Sequence, residues 1–138
     1  MALLSFISMY FLMYLMVDSY SNVYMNLNQV YMAGIMTVPM IFIELLLMNS
    51  MYPNKKLNTV LIGASLATLI ALLFLLRKQI AITDKEFLKS MIPHHAAALL
   101  MCHENHLQDP DLKKLCNTIS ATQQHEIDFM KSKLVKHG

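Results

Sequence analysis

The residues best suited to chemistry in this sequence lie between Met91 and Met101. Met91-x-x-His94-His95 puts a thioether and two imidazoles within one turn of any helix that holds them, and Met101 follows two turns later. Soft sulfur with borderline nitrogen suits copper, as Cu(I) or Cu(II), better than magnesium or calcium, which take oxygen ligands. A plainer reading of the same residues has half-exposed histidines at the mouth of a helical bundle and methionines filling its core. Cys102, His106 and Cys116 offer a second set, either a thiolate site or, more simply, two small buried thiols or a disulfide.

Other chemistries find less support. His103-Glu-Asn-His106 is one residue short of the zinc-protease HExxH, and neither Glu104 nor Glu126 begins the Glu-x-x-His pair of a di-iron bundle. No Ser or Cys nucleophile is spaced with a base and an orienting acid, so no enzyme is expected. Three Gly and four Pro leave no phosphate-binding loop. A net charge of +2, without a basic stripe, argues against a nucleic-acid partner.

The elements that must carry these residues can be read from their ends. Thr83 followed by Glu86 is a capping box, so a helix starts after Thr83, and it is expected to run to Gln108. Asp109 then caps a second helix with Pro110 at its first position, continuing to about Lys136. Two long helices across a short turn make an antiparallel hairpin. Pro93 falls inside the first helix, where it cannot bond the carbonyl of Lys89. Met91, His95, Ala98 and Cys102 share one face, flanked by His94, Met101 and His106. Leu112, Cys116, Ile119, Gln123, Ile127, Met130 and Leu134 form the inward stripe of the second helix, with Glu126 at its edge. If paired positions sum to about 217, Met91 lies opposite Glu126, His94 opposite Gln123, and Cys102 near Cys116. Unpaired polar groups on such a face cost about 1 to 3 kcal/mol each, and a bound ion would relieve that. His103 and His125 point away from the core face and His137 lies in the frayed tail, so His125 and His137 are read as solvated.

The rest of the chain is of another kind. At 56% hydrophobic and 14% charged, the 138 residues lie well off the soluble norm, and residues 1–76 hold only Asp18, Glu44, Lys55 and Lys56 as charges. Leu57 to Leu76 is uncharged and matches the roughly 30 Å hydrocarbon core of a bilayer. Val30 to Met51, despite Pro39 and Glu44, and the shorter Ala2 to Val17, read as an uncleaved anchor rather than a signal peptide, complete a three-span transmembrane anchor over 1–78. The metal-binding hairpin takes 79–138. Tyr10, Tyr14, Tyr20, Tyr24, Tyr31 and Tyr52 resemble an interfacial belt. Gly63, Ala64, Ala67, Thr68 and Ala71 allow close helix approach. Glu44 is near enough to a membrane end to reach water or Lys55 and Lys56. The stripes Met9/Met13/Met16 and Met32/Met36/Met40 are read as apolar filler, with passage of Cu(I) the sharper alternative.

Met91-Ile-Pro-His94-His95, Ala98, Met101, Asp109-Pro-Asp and Gln123-x-x-Glu126-Ile-x-x-Met130 together resemble the bacterial domain-of-unknown-function family numbered 305 over about 84–135, in a membrane-anchored subgroup. The resemblance implies an all-α, ferritin-like bundle associated with copper binding and copper tolerance outside the cytoplasm. It carries over Met91, His94, His95, Met101, Glu126 and Met130 as metal ligands, with copper the ion and zinc the poorer match. Many members hold two such hairpins where this chain has one, so a second copy is expected to complete the four-helix bundle, as a homodimer or higher homo-oligomer. The implied location is a bacterial inner membrane with a periplasmic hairpin, although Arg77, Lys78, Lys85 and Lys89 pull the other way. The expected role is copper storage, tolerance or delivery. The alternative is a metal-free membrane interaction or dimerisation module; a membrane oxidoreductase lacks any quinone, haem or flavin signature.

Overall fold

The computed structural model of the chain describes residues 2–48, 51 and 53–136, so Tyr52 of the proposed aromatic belt and His137 lie outside the described residues. The described chain is all-α, as expected. Helix α1 (Ala2–Leu12) is followed by two 3₁₀ turns (Met13–Met16 and Tyr20–Asn22). Four longer helices come next: α2 (Leu27–Leu47), α3 (Lys55–Arg77), α4 (Asp84–Glu104) and α5 (Pro110–Lys136). They divide between two compact units, one of Met1–Leu12 with Asn28–Ala81 and the other of Met13–Leu27 with Ile82–Gly138.

In the first unit two helices, α2 and α3, are long and apolar enough to cross a bilayer; α1 is not, because its α-helical hydrogen bonding stops at Leu12 and gives way to a 3₁₀ turn. At 1.5 Å per residue, its 11 residues reach only about 16 Å. A methyl of Leu72 lies 2.8 Å from the position a Cβ on Gly34 would take, so a larger residue there would have to push the end of that side chain aside. Tyr31 is buried and donates its hydroxyl hydrogen to the carbonyl of Ile80 at 2.9 Å. Asn28 and Gln79 pair their side-chain amides. The small residues expected to pack do not do so within the chain: nothing lies within 4 Å of a Cβ built on Gly63, and Ala64, Ala67 and Thr68 are exposed. Asn58, Ser65 and Leu72 are used instead. Met32, Met36 and Met40 are exposed on α2.

Helix α3 ends in a left-handed residue that is not glycine. Gln79 (φ 50°) sits one position past the cap Lys78, while the Gln79 and Ile80 N–H groups donate back to the carbonyls of Leu76 and Leu75. That is the Schellman arrangement, usually built on glycine. The Gln79 side chain holds it by donating to the Leu76 carbonyl at 2.7 Å.

In the second unit α4 and α5 pack together through Ile92, Ala96, Leu99, Ile127 and Met130, flanked by Leu88, Met91 and Leu134. Thr83 accepts the Glu86 N–H, as its spacing requires. Helix α4 stops at Glu104 rather than Gln108; Asn105 is extended, and residues 105–109 carry the chain across to α5. Asn is a poor helix former, and Asp109, preceding a proline, is biased to extended backbone, so both ends of this stretch favour leaving the helix. Asp109 accepts the N–H groups of Asp111 (2.8 Å) and Leu112 (3.3 Å), capping α5. Asp109→Ala should cost about 1 kcal/mol, while Asp109→Asn, which keeps the acceptor, should cost less. Urea unfolding of the detergent-solubilised chain, followed by helical circular dichroism, checks the order.

The 13–27 segment belongs to this unit as well. Val17 and Tyr24 pack on the α4/α5 core, and the Tyr14 hydroxyl donates to the Tyr24 carbonyl. The buried amide of Asn26 donates to the Lys89 carbonyl at 3.4 Å, the acceptor that Pro93 leaves without an N–H partner. Glu86 accepts the Leu27 N–H at 2.8 Å, which places a carboxylate at the start of α2, and Lys89 pairs with the same carboxylate at 3.2 Å. These contacts turn α4 so that its buried face is Ile92/Ala96/Leu99, one residue round from the expected Met91/His95/Ala98 face.

Candidate metal centre

The central pair of the site comes from the two helices of the second unit. His95, on α4 one turn before the buried Leu99, has a side chain only 15% exposed, and its Nδ1 lies 2.9 Å from Oε2 of Glu126 on α5. The two groups are close but not aligned as a hydrogen bond, so the buried Nδ1 has no hydrogen-bond partner. A buried imidazole nitrogen in this condition is ready to accept a better-placed donor or a cation. Glu126, with 44% of its side chain exposed, faces water on its other side.

The remaining expected ligands are spread around this pair. His94 is exposed, its ring centroid 6.2 Å from that of His95 and tilted by 60°. Met91 is half-buried, in contact with the core, and Met130 is buried within it beside Ile127. Met101, 60% exposed, stands seven residues beyond His94, about 10 Å along the helix, and does not join the group. Glu126 meets His95 rather than Met91. Among the described residues no three His, Cys, Asp or Glu side chains converge as a ready metal cluster. What the structure assembles is one imidazole with one carboxylate, next to a second, exposed imidazole and with thioethers on nearby turns.

His103 and His125 are exposed, as expected. Cys102 and Cys116 form a disulfide, with Cα atoms 5.4 Å apart. Spacing placed them opposite each other; the close approach is what admits the bond. Asn26 was not singled out by sequence, and Glu86 was read only as the capping-box partner of Thr83, not as the acceptor of the Leu27 N–H. The available signal was an asparagine a few residues before the apolar run from Val30, a helix-start pattern, though nothing local indicates that its amide would reach a carbonyl 63 residues on.

The model of a domain of unknown function (DUF305) matches residues 65–134, from within α3 almost to the end of α5. The chain is also 33% identical over 135 residues to "Uncharacterized protein L153" of Acanthamoeba polyphaga mimivirus, covering 96% of this chain and 87% of that protein. No solved structure matches it. With the family model matching about half of the chain, including the helices that hold His95 and Glu126, the chain belongs to the DUF305 family.

Proposed function

We propose that this is an integral membrane copper-binding protein that acts in copper storage, tolerance or delivery through thioether and imidazole groups on α4 and α5. The observation that carries the reading is the His95–Glu126 contact: a shielded imidazole with an unsatisfied ring nitrogen, a carboxylate at 2.9 Å, and Met91 and His94 on the same turn. Copper is the cargo. Thioether and imidazole donors favour Cu(I), and zinc, which draws less from thioethers, is the weaker candidate. His95 and Glu126 supply the shielded donors, Met91 and His94 the adjacent ones, and Met130 and Met101 the outer members of the set. In this reading the α4/α5 pair is half of a ferritin-like four-helix bundle, and a second copy of the chain supplies the other half.

The anchor is read as α2 and α3 spanning a bacterial inner membrane, with the helix pair on the periplasmic side. Two crossings return the chain to the side it left, which is what residues 13–27 and 82–138 require in order to fold as one unit. The Cys102–Cys116 bridge supports an oxidising compartment. A metal-free interaction module is the competing reading, favoured by Leu112, Leu115, Phe129 and Val135, which are exposed on α5.

Competition against a Cu(I) chelator separates the two. Purified chain in detergent should take Cu(I) in preference to Mg(II) or Ca(II), and Met91→Leu with His94→Ala should remove most of that binding, while His125→Ala changes little. Equal affinity in the double variant would place the ion elsewhere. No Cu(I) binding by the unaltered chain would leave the interaction module.

A further inference from the structure

The turn between α4 and α5 borders an open pocket of about 340 Å³ that the proposed function does not use; its lining includes Cys102, Cys116, His106, Lys113 and Asn117. The two sulfurs are bonded to each other, and both cysteines are only partly buried, so the bridge faces an opening that a small reductant can enter. We infer that reduction of the Cys102–Cys116 bridge converts this pocket into a second soft-metal site, in which the two cysteine thiolates and the His106 imidazole hold Cu(I). Three features support it. The cysteines are kept opposite each other by the helices themselves, since Leu99, one turn below Cys102, is buried in the α4/α5 core. The cation of Lys113 in the same pocket favours the thiolate form, both as leaving group during exchange and as ligand afterwards. Thiolate with imidazole is a donor set that selects Cu(I).

The reductant is a dithiol. One of its thiolates attacks a cysteine sulfur, breaking the S–S bond and forming a mixed disulfide while the other cysteine leaves as thiolate. The second thiol of the reductant then attacks that mixed disulfide and departs as a cyclic disulfide. The dithiol is oxidised by two electrons, the bridge is reduced by two, and the two thiol protons pass to the cysteines. Cu(I) binding later expels those protons without changing the copper oxidation state.

The site is independent of the His95–Glu126 centre and is tested apart from it. Full-length Met91→Leu/His94→Ala protein in detergent is titrated with Cu(I) against a chelator, once as purified and once after dithiothreitol treatment and its removal without air. The reduced form should bind about one Cu(I) per chain more than the oxidised form, with thiolate-to-copper charge-transfer absorption. The gain should vanish in Cys102→Ser/Cys116→Ser protein, and His106→Ala should weaken it about tenfold. Circular dichroism is recorded in parallel. Equal copper binding by oxidised and reduced protein, a gain unaffected by His106→Ala, or loss of helical signal on reduction would each overturn the proposal.

Discussion

Ile127→Ala should lower the stability of the second unit by about 2 to 5 kcal/mol. Ile127 is 0% exposed and meets Ile92, Ala96 and Leu99 across the α4/α5 interface, so truncation removes three buried carbon atoms and leaves a cavity walled by two rigid helices. Neither helix can sink to close it, because α4 is fixed on its other side by Val17, Tyr24 and the Asn26 amide. The measurement is urea unfolding in detergent by circular dichroism, where a slope of about 1 to 2 kcal/mol per molar makes the midpoint fall by at least about 1 M. Val135→Ala, at a position 83% exposed on the same helix, is the comparison and should stay within about 0.5 kcal/mol of the parent.

The second large effect concerns the bridge. Removing the Cys102–Cys116 link by Cys102→Ser/Cys116→Ser should cost about 3 kcal/mol, the chain-entropy value for a closed loop of this length. The two cysteines are 14 residues apart and flank the non-helical stretch 105–109, the part of the unit with least packing of its own. The loss should therefore appear chiefly as an increase in the unfolded population and in proteolytic cleavage near Asn105 to Asp109, with α4 and α5 still formed in the native state. Limited proteolysis alongside the unfolding curve checks both parts. A variant as stable as the parent and no more readily cut would mean that the helix interface alone closes the turn.

What could be read from the sequence was what is decided within a few residues. Thr83 with Glu86 and Asp109 with Pro110 mark helix starts through side chains that bond amides two or three positions on, and both starts are found where they were placed. The all-α class and the α5 stripe around Ile127 and Met130 follow from apolar spacing over a long helix. The register sum of about 217 brought Cys102 to Cys116, but it set Met91 opposite Glu126, and Glu126 meets His95 instead. Side chains on a helix lean toward its N-terminus. In an antiparallel pair that makes the His95 ring lean away from the turn and the Glu126 carboxylate lean toward it, which closes an axial offset of about 6 Å. Counting α-carbons does not capture that. The buried face of α4 was less legible, because Ala96 to Leu100 is apolar on every side and offers no phase. Its orientation is settled by the 13–27 segment, which sequence order places far away.

That segment also bears on the order of events as the chain is made. Residues 13–27 emerge long before Lys89, and the acceptor for Asn26 and the carboxylate that caps Leu27 do not exist until α2 and α3 have been completed. Closing a free loop of some sixty residues would carry an entropy cost of about 3 to 4 kcal/mol. Here the inserted helices lower it in advance. Tyr31 bonded to the Ile80 carbonyl, and Asn28 paired with Gln79, hold the start of α2 beside the end of α3, so the two pieces of the second unit are joined as if by a short link. A chain whose α2 and α3 failed to pair would have to close the full loop of some sixty residues, and Val17 and Tyr24 would wait longer for the α4/α5 core on which they pack.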